Sequence, residues 1–292
     1  MQEGEKNKGA LSFAVVIPTH KNIPSQDEQT AFCHNIQLLK AHEIYLLMPQ
    51  GSAYAFDWYM KEAERHGITL RMLRAPAIWD GTEAGYCRMC LCPEFYALFS
   101  ANRYTVMCHL DVWVFRDELS SWAERGYDYV GAPWICKSWR KLPGKRKCVM
   151  FPFGGNDGFS IRDTQKMIRI LSGSCGYQTN LRMWAGVFTF FLRNGLFHYK
   201  LGTVCRGSGK VFFPRGTIYD MFRDVGEDFV FSVFMPMLLP DYSVAPAEEE
   251  CAFSLEYFKL DRIKDGARPM AIHGRDIMPV VEWIVANDRI SD

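Results

Sequence analysis

Short apolar runs alternate with helix-like segments through the first third of the chain, and this alternation restricts the possible folds. The runs Phe13–Ile17, Ile44–Met48, Thr69–Leu73 and Tyr104–Leu110 have the length and apolar content of buried strands. The segments between them carry apolar residues at helical spacing. Strands that alternate with helices in this way predict an α/β fold with a mostly parallel central sheet and helices on its faces.

Local signals place two of the helices. Ser25 and Glu28 form a capping-box pattern after a proline, which predicts that the first helix begins there. Another helix is expected from about Glu83 to Phe99. From about Phe115 onwards the pattern is less regular, with a glycine-rich segment and a final helix near Val280–Asn287. The core face of the first helix should carry Phe32, Ile36 and Leu39.

Composition excludes several classes of protein. The formal net charge is +1 in 292 residues, so the chain lacks the basic excess typical of nucleic-acid binding. No apolar run reaches the roughly 18 residues that a membrane span needs. The first ten residues are polar and lack the apolar stretch of a secretory signal, and the ten cysteines show no disulfide framework. A cytoplasmic protein with reduced thiols is expected.

Two segments follow strands whose carboxyl ends should meet at one edge of the sheet, where α/β proteins bind ligands. Thr19 and Lys21 come directly after the first strand, and Asp111 follows the fourth. An isolated carboxylate at the end of an apolar strand is costly unless it binds a cation, and its oxygens suit Mn²⁺ or Mg²⁺. A capping or ion-pairing role for Asp111 is the alternative.

Three later segments carry further candidates. Gly155 and Asn156 lie in a glycine-rich stretch where a ligand could approach the backbone closely; a plain β-turn, which would by itself explain the glycines, is the less favoured alternative. Glu227 and Asp228 precede an apolar helical run, whose N-terminus would stabilise their charge; a capping pair is the simpler interpretation. His273 stands between a short apolar strand and a glycine, where a structural role is the usual one.

Taken together, these segments resemble a family of GT-A-like transferases from bacteria and viruses that is described mainly as a domain of unknown function. The resemblance extends from about Leu11 to His273. The runs that carry it are Val15–His20, Tyr86–Tyr96, His109–Leu119, Gly126–Trp134, Gly155–Arg162, Glu227–Ser232 and Val244–Glu249.

The resemblance implies a role for each matching residue. Asp111 stands where the last acid of the GT-A metal motif would be, His109 takes the place of the first acid, and His273 matches a late histidine of the metal site. Asp228 matches the acid that acts as the base in inverting relatives, with Glu227 beside it. The residues implied in donor binding are Pro18, Thr19, Lys21, Arg88, His109, Gly155 and Asn156.

A glycosyltransferase is therefore the predicted function. It would transfer a sugar from a nucleotide-sugar such as a UDP-sugar to a hydroxyl of a glycan or surface polysaccharide, with inversion and with Mn²⁺ or Mg²⁺. Residues 11–115 would form the donor-binding half and residues 116–292 the acceptor-binding and catalytic half of one fused domain. No transmembrane segment or nucleic-acid partner is expected.

The sequence leaves three alternative functions. A non-catalytic nucleotide-sugar or glycan-binding protein on the same fold is the strongest, because His109 departs from the acidic metal motif. A dinucleotide oxidoreductase would need a GxGxxG turn after its first strand, where Pro18 and Thr19 stand instead. A metallohydrolase would need clustered histidines and acids, whereas the seven histidines are scattered along the chain.

Overall fold

A computed structural model describes residues 11–51, 53–137, 148–172, 226–239, 241–256, 269–274 and 277–288. Its strands are β1 (Phe13–Pro18), β2 (Glu43–Met48), β3 (Leu70–Arg74), β4 (Tyr104–Cys108), β5 (Val112–Val114), β6 (Tyr129–Lys137), β7 (Cys148–Asp163), β8 (Ser254–Glu256) and β9 (Ala271–His273). Its helices include α1 (Gln26–Leu38), α2 (Asp57–Arg65), α3 (Glu83–Cys90), α4 (Pro93–Ala97), α5 (Leu119–Glu124) and α6 (Thr164–Leu171). Later helices are α7 (Glu227–Phe229), a π-helical turn (Val230–Phe234), α8 (Met235–Leu238), α9 (Ala247–Phe253) and α10 (Met278–Asp288).

The central sheet has six strands in the order β3-β2-β1-β4-β7-β6. The first four are parallel, β7 is antiparallel to β4, and β6 is antiparallel to β7. Five strands therefore share one direction, which confirms the predicted α/β fold with a mostly parallel sheet. The sheet takes β6 and β7 from residues 116–292, and the assignment of donor and acceptor binding to the two halves stays a prediction.

Helices cover both faces of the sheet because the buried strands are apolar on both sides. On β1, Phe13, Val15 and Ile17 pack in one core cluster with residues of α1 and α2. Ala14 and Val16 point into a second cluster with residues of α3, α4 and α6. The predicted capping box at Ser25 is present, and the predicted apolar face of the first helix is buried.

Two predictions about local structure were wrong. The helix expected from Glu83 to Phe99 is two helices, because Pro93 disfavours helical backbone at Cys92, which is extended. The glycine-rich stretch near Gly155 is not a turn before a strand. It lies within the long strand β7, whose pairing with β6 shifts register between Val130 and Ile135.

A second sheet of three strands, in the order β5-β9-β8, lies next to the carboxyl end of β4. Strand β9 is antiparallel to β5 and parallel to β8. This sheet joins β5 to two strands from the last 40 residues of the chain and places all three at the end of the main sheet. Val112, His273 and Glu256 are register partners across it.

Two further expectations from composition concern the membrane and the thiols. Within the described ranges, no helix has the length and apolar character needed to cross a bilayer. Among the described residues, Cys33, Cys87, Cys90, Cys92, Cys108 and Cys251 are free thiols. Burial raises the pKa of the Cys90 thiol, and of the Cys108 thiol, to about 12.

Candidate functional site

A pocket of about 530 Å³ opens at the carboxyl edge of the main sheet, where β1 and β4 end side by side. This is the position at which parallel α/β sheets bind ligands, and the volume suits a small organic molecule. The residues that line it include Pro18, Thr19, His20, Lys21, Glu28, Trp79, Thr82, Tyr86, His109, Asp111 and Gly274.

The loop after β1 is held by hydrogen bonds to β2 and α2 and by one hydrogen bond within the loop. The Thr19 N–H donates to the Leu47 carbonyl at 2.9 Å, which extends the parallel pairing by one residue. The Thr19 hydroxyl lies 3.1 Å from the Tyr59 hydroxyl and accepts the Lys21 N–H at 3.0 Å. The Lys21 ammonium pairs with Glu28 at 2.5 Å but its side chain is 41% exposed, so this cation stays available to an anionic ligand.

The small sheet brings Asp111 and His273 together. Because Val112 is the register partner of His273, the preceding Asp111 lies beside the histidine ring. The Gly274 N–H donates to the Asp111 carbonyl at 3.0 Å and fixes the two backbones. His273 Nε2 is 3.1 Å from Asp111 Oδ1.

Burial by itself would raise the pKa of Asp111, but the hydrogen bond and electrostatic interaction with His273 lower that pKa to about 2. Asp111 is therefore a carboxylate at neutral pH. Burial lowers the pKa of His109, which favours a neutral imidazole with a free lone pair. Both groups are in the protonation state that a metal ligand requires.

His109 lies close to the same pair. His109, Asp111 and His273 each offer one ligand atom, and these three atoms lie within 4.8 Å of one another. The two imidazole rings are nearly perpendicular, with centroids 5.6 Å apart. His273 Nδ1 is buried and has no hydrogen-bond partner among the described residues. The structure thus brings together the two predicted metal ligands and a residue predicted for donor binding.

A buried polar network behind His109 was not singled out by sequence reasoning. The Tyr86 hydroxyl donates to Asp157 Oδ2 at 2.5 Å and lies 2.9 Å from His109 Nε2. Asp157 forms a buried salt bridge with Arg162 and accepts the Ser160 hydroxyl at 3.0 Å. In the sequence Asp157 and Arg162 stand five residues apart with no shared period-2 pattern, so their pairing was not indicated there.

Glu256 is a second residue that the sequence did not indicate. Its Oε1 is 3.9 Å from His273 Nδ1, and burial raises its pKa to about 7, with the charges of Asp228 and Asp111 acting in the same direction. Nothing in the short strand β8 distinguishes this acid from a solvated one. Its position follows only from the pairing of β8 with β9.

The two predicted catalytic acids have different surroundings. Glu227 is 3% exposed and lies in a cluster with the thiol of Cys90 and the carboxylate of Asp157. Asp228 is half-buried, and its Oδ1 accepts the Phe229 N–H at 2.6 Å. They begin α7 after Gly226, so the helix N-terminus is where the sequence predicted it. Their catalytic roles stay predictions.

Three predicted donor-binding residues lie outside the set that lines the pocket. The Arg88 guanidinium is 4.0 Å from Asp80 Oδ2. Gly155 has a positive φ of 149°, and a Cβ there would collide with Ser232. Asn156 Oδ1 accepts the Gly158 N–H at 3.0 Å. Gly155 therefore serves close packing of β7 against the π-helical turn.

The fold and the site define a mixed α/β protein with a pocket and, at the carboxyl edge of its sheet, a cluster of side chains that could hold a cation. Residues 69–273, more than half of the chain, match a family described as "Protein of unknown function (DUF5672)". The chain belongs to this family. Among curated proteins, none has significant sequence similarity to it.

Several solved structures are similar to this chain at low identity. Mouse xyloside xylosyltransferase 1 in its apo form is 14% identical, with 91% of this chain and 98% of that chain covered and a TM-score of 0.48. S. aureus TarS 1–349 in complex with UDP-GlcNAc is 12% identical, with coverages of 56% and 47% and a TM-score of 0.32. Core-mannan synthase A from Aspergillus fumigatus in its Mn/GDP form is 9% identical, with coverages of 56% and 62% and a TM-score of 0.37.

Proposed function

We propose that the protein is a metal-assisted glycosyltransferase that moves a sugar from a nucleoside diphosphate sugar to a hydroxyl group. One observation carries the proposal. His109, Asp111 and His273 converge at the carboxyl end of β4, and two of them line the pocket that opens there. A cation site next to a pocket of this size suits a ligand with a diphosphate and two ring systems. One of the runs that resemble GT-A-like transferases contains His109 and Asp111, and the resemblance extends to His273.

The residues at the site fit a divalent cation. Asp111 supplies an ionised oxygen ligand, and the two histidines supply imidazole nitrogens. In the structure the His273 Nε2–H donates to Asp111 Oδ1 at 3.1 Å. An ion bound by both atoms would replace this proton, and the imidazole would then carry its N–H on Nδ1, 3.9 Å from Glu256 Oε1. When bound, Mn²⁺ or Mg²⁺ supplies positive charge that stabilises a nucleoside diphosphate leaving group.

Two cationic side chains, Lys21 and Arg88, are proposed to bind the same diphosphate group. Lys21 reaches the pocket from the loop after β1, and only its ion pair with Glu28 has to be exchanged for a phosphate. Arg88 is assigned to the diphosphate because a guanidinium binds phosphate oxygens in a fork. Thr19 and Pro18 shape the loop, with Thr19 anchored to Tyr59. Gly155 and Asn156 stay proposed donor contacts on the sequence resemblance alone.

Asp228 is proposed as the general base. It is half-buried at a helix N-terminus, and its charge acts on Glu256, which in turn lies beside His273. Asp228 would accept the proton of the acceptor hydroxyl while that oxygen bonds to the anomeric carbon and the bond to the diphosphate breaks. Displacement from the opposite face of the sugar inverts its configuration. Glu227, the buried carboxylate next to it in the chain, is proposed to place negative charge beside Asp228.

A donor screen tests the function. The purified protein is incubated with UDP- and GDP-sugars and Mn²⁺, and release of UDP or GDP is measured with and without glycan acceptors. We expect release from one donor class, and loss of release in Asp111→Asn at unchanged thermal stability. Donor binding without release under all conditions would support the alternative, a non-catalytic nucleotide-sugar or glycan-binding protein.

A further inference from the structure

Behind His109 lies a chain of hydrogen bonds that the proposed reaction does not use directly. Tyr86 is its middle member, with its hydroxyl 2.5 Å from Asp157 and 2.9 Å from His109 Nε2. Asp157 is 4% exposed and is paired with Arg162, which is wholly buried. The Arg162 guanidinium also donates to the Tyr96 hydroxyl at 2.7 Å. The position of Tyr86 is therefore set from inside the protein.

The directions of these hydrogen bonds can be assigned from the groups themselves. A carboxylate only accepts, so the Tyr86 O–H must donate to Asp157. The Tyr86 oxygen can then only accept from His109, which places the imidazole proton on Nε2. A neutral imidazole has one N–H and one lone pair, so the lone pair is on Nδ1. Nδ1 is the nitrogen of His109 that the network leaves for a ligand.

We infer that Tyr86 and Asp157 are positioning residues that hold His109 as the Nε2–H tautomer, so that its Nδ1 completes a cation site of two imidazoles and one carboxylate. The inference rests on the proposed function for the presence of a cation at His109, Asp111 and His273. Metal-binding histidines generally donate their second N–H to a carboxylate, a carbonyl or a water, and this partner orients the ring. Here a tyrosine hydroxyl carries that interaction to the buried carboxylate.

The donor set has a consequence for the choice of metal. Mg²⁺ prefers oxygen ligands, whereas imidazole nitrogen suits first-row transition metals, whose affinity for such sites rises from Mn²⁺ to Co²⁺. With His109 in the place of an acid, two of the three protein ligands are nitrogens. The site therefore selects Co²⁺ and Mn²⁺ over Mg²⁺.

Metal titrations of the whole protein test the inference without any activity measurement. Binding of Mn²⁺, Co²⁺ and Mg²⁺ is measured by calorimetry, and binding of Mn²⁺ also by electron paramagnetic resonance, in the presence and absence of excess UDP. Tyr86→Phe removes only the hydroxyl that contacts His109. Tyr96→Phe is the matched control, because it also removes a buried hydroxyl from the Arg162 network but does not contact His109.

We expect Tyr86→Phe to weaken Mn²⁺ binding by about 10- to 100-fold, the usual range for loss of such a partner, and Tyr96→Phe to leave it nearly unchanged. Wild-type protein should bind Mn²⁺ and Co²⁺ more tightly than Mg²⁺. Equal Mn²⁺ affinity in wild type and Tyr86→Phe, equal affinities for Mg²⁺ and Mn²⁺, or no Mn²⁺ binding with and without UDP would each overturn the inference.

Nitrogen-15 NMR of the histidine rings gives a second readout that does not depend on a variant folding well. We expect the wild-type His109 ring to be protonated at Nε2, and Tyr86→Phe to populate the Nδ1–H tautomer. A wild-type His109 ring protonated at Nδ1 contradicts the positioning role of Tyr86 and Asp157. If Mn²⁺ binds as expected but no donor is ever cleaved, the proposed function fails while the positioning role of Tyr86 and Asp157 stands.

Discussion

The imidazole of His273 packs against the backbone of Gly158 so closely that a Cβ at position 158 would overlap the ring. Gly158 lies on β7, and its carbonyl accepts the His109 N–H at 3.0 Å. One glycine thus fixes the spacing of both proposed histidine ligands. Its φ is not in the left-handed region, so an alanine there is excluded by the ring and not by the backbone.

Gly158→Ala should therefore displace the His273 ring and weaken Mn²⁺ binding by about 10- to 100-fold, as for loss of a group that orients a ligand. The measurement is a calorimetric Mn²⁺ titration of Gly158→Ala, His273→Ala and the double variant. Because the overlap disappears with the ring, Gly158→Ala should cost little in the His273→Ala background. Equal and additive losses in both backgrounds would mean that Gly158 acts independently of His273.

The sequence predicts the elements that determine this site better than it predicts the contacts. Asp111 and His273 were expected at one site, but their adjacency depends on pairing between β5 and β9, which are more than 150 residues apart. Pairing of such distant strands leaves no local pattern in the sequence. The main sheet was predictable because each of its strands is a separate apolar run.

Buried polar residues were the part that sequence reasoning missed. Arg162 and Asp157 look like ordinary surface charges in the sequence, and Arg residues are seldom fully buried unless paired. Their burial follows from β7 lying between β4 and β6, which places both of its faces in the core. Glu256 was missed for a related reason, since the three residues of β8 are too few to show the alternation of buried and exposed side chains that marks a strand.

Nucleotide binding provides a test of the two proposed phosphate contacts. Lys21→Ala and Arg88→Ala should each weaken UDP binding by about tenfold or more, because a hydrogen bond to a charged group contributes about 1.5–3 kcal/mol. Arg88 is 4.0 Å from Asp80, so its guanidinium can turn towards a phosphate at small cost. Arg65→Ala is the control, since Arg65 pairs with Glu62 on α2 and has no proposed contact with phosphate. Unchanged UDP affinity in Arg88→Ala would reassign Arg88 to its ion pair with Asp80.

The buried carboxyl group of Glu250 should make the free energy of unfolding depend on pH. It is fully buried on α9, where its Oε1 accepts the Gly131 N–H at 3.3 Å and its Oε2 has no partner among the described residues. Burial raises the pKa of Glu250 well above its ordinary value of 4.5. At a pH between the ordinary pKa of 4.5 and the raised pKa of the folded protein, Glu250 is deprotonated in the unfolded chain and protonated in the folded protein. The contribution of Glu250 to stability therefore falls as pH rises from about 4.5 towards the folded pKa.

Glu250→Gln removes this titration. The difference in Tm, variant minus wild type, should become more positive as pH rises from 4 to 8. A buried polar atom without a partner costs about 1–3 kcal/mol, and each kcal/mol corresponds to about 2–4 °C in a protein of this size. Thermal unfolding followed by circular dichroism at several pH values measures the difference. A difference that does not change with pH would show that Glu250 keeps an ordinary pKa in the folded protein.

The sharpest prediction concerns Asp228 and its neighbour Glu227. Asp228→Asn keeps the volume of the side chain and can still accept the Phe229 N–H, but the amide cannot take a proton. If Asp228 is the general base, donor affinity should stay nearly constant while turnover falls by about 10²- to 10⁴-fold, the usual contribution of such a base. Steady-state kinetics with the donor identified in the screen, together with UDP or GDP calorimetry, separates the two quantities.

Glu227→Gln is the matched comparison, because it makes the same chemical change one residue earlier. Glu227 is 3% exposed in a cluster with Cys90 and Asp157, so its loss should lower Tm more than it lowers turnover. Gly226 and not Asp228 is the N-cap of α7, and an Asn at position 228 can still accept the Phe229 N–H, so a purely structural role for Asp228 predicts a fully active variant. Full activity of Asp228→Asn, or a larger loss of turnover in Glu227→Gln at unchanged stability, would move the base away from Asp228.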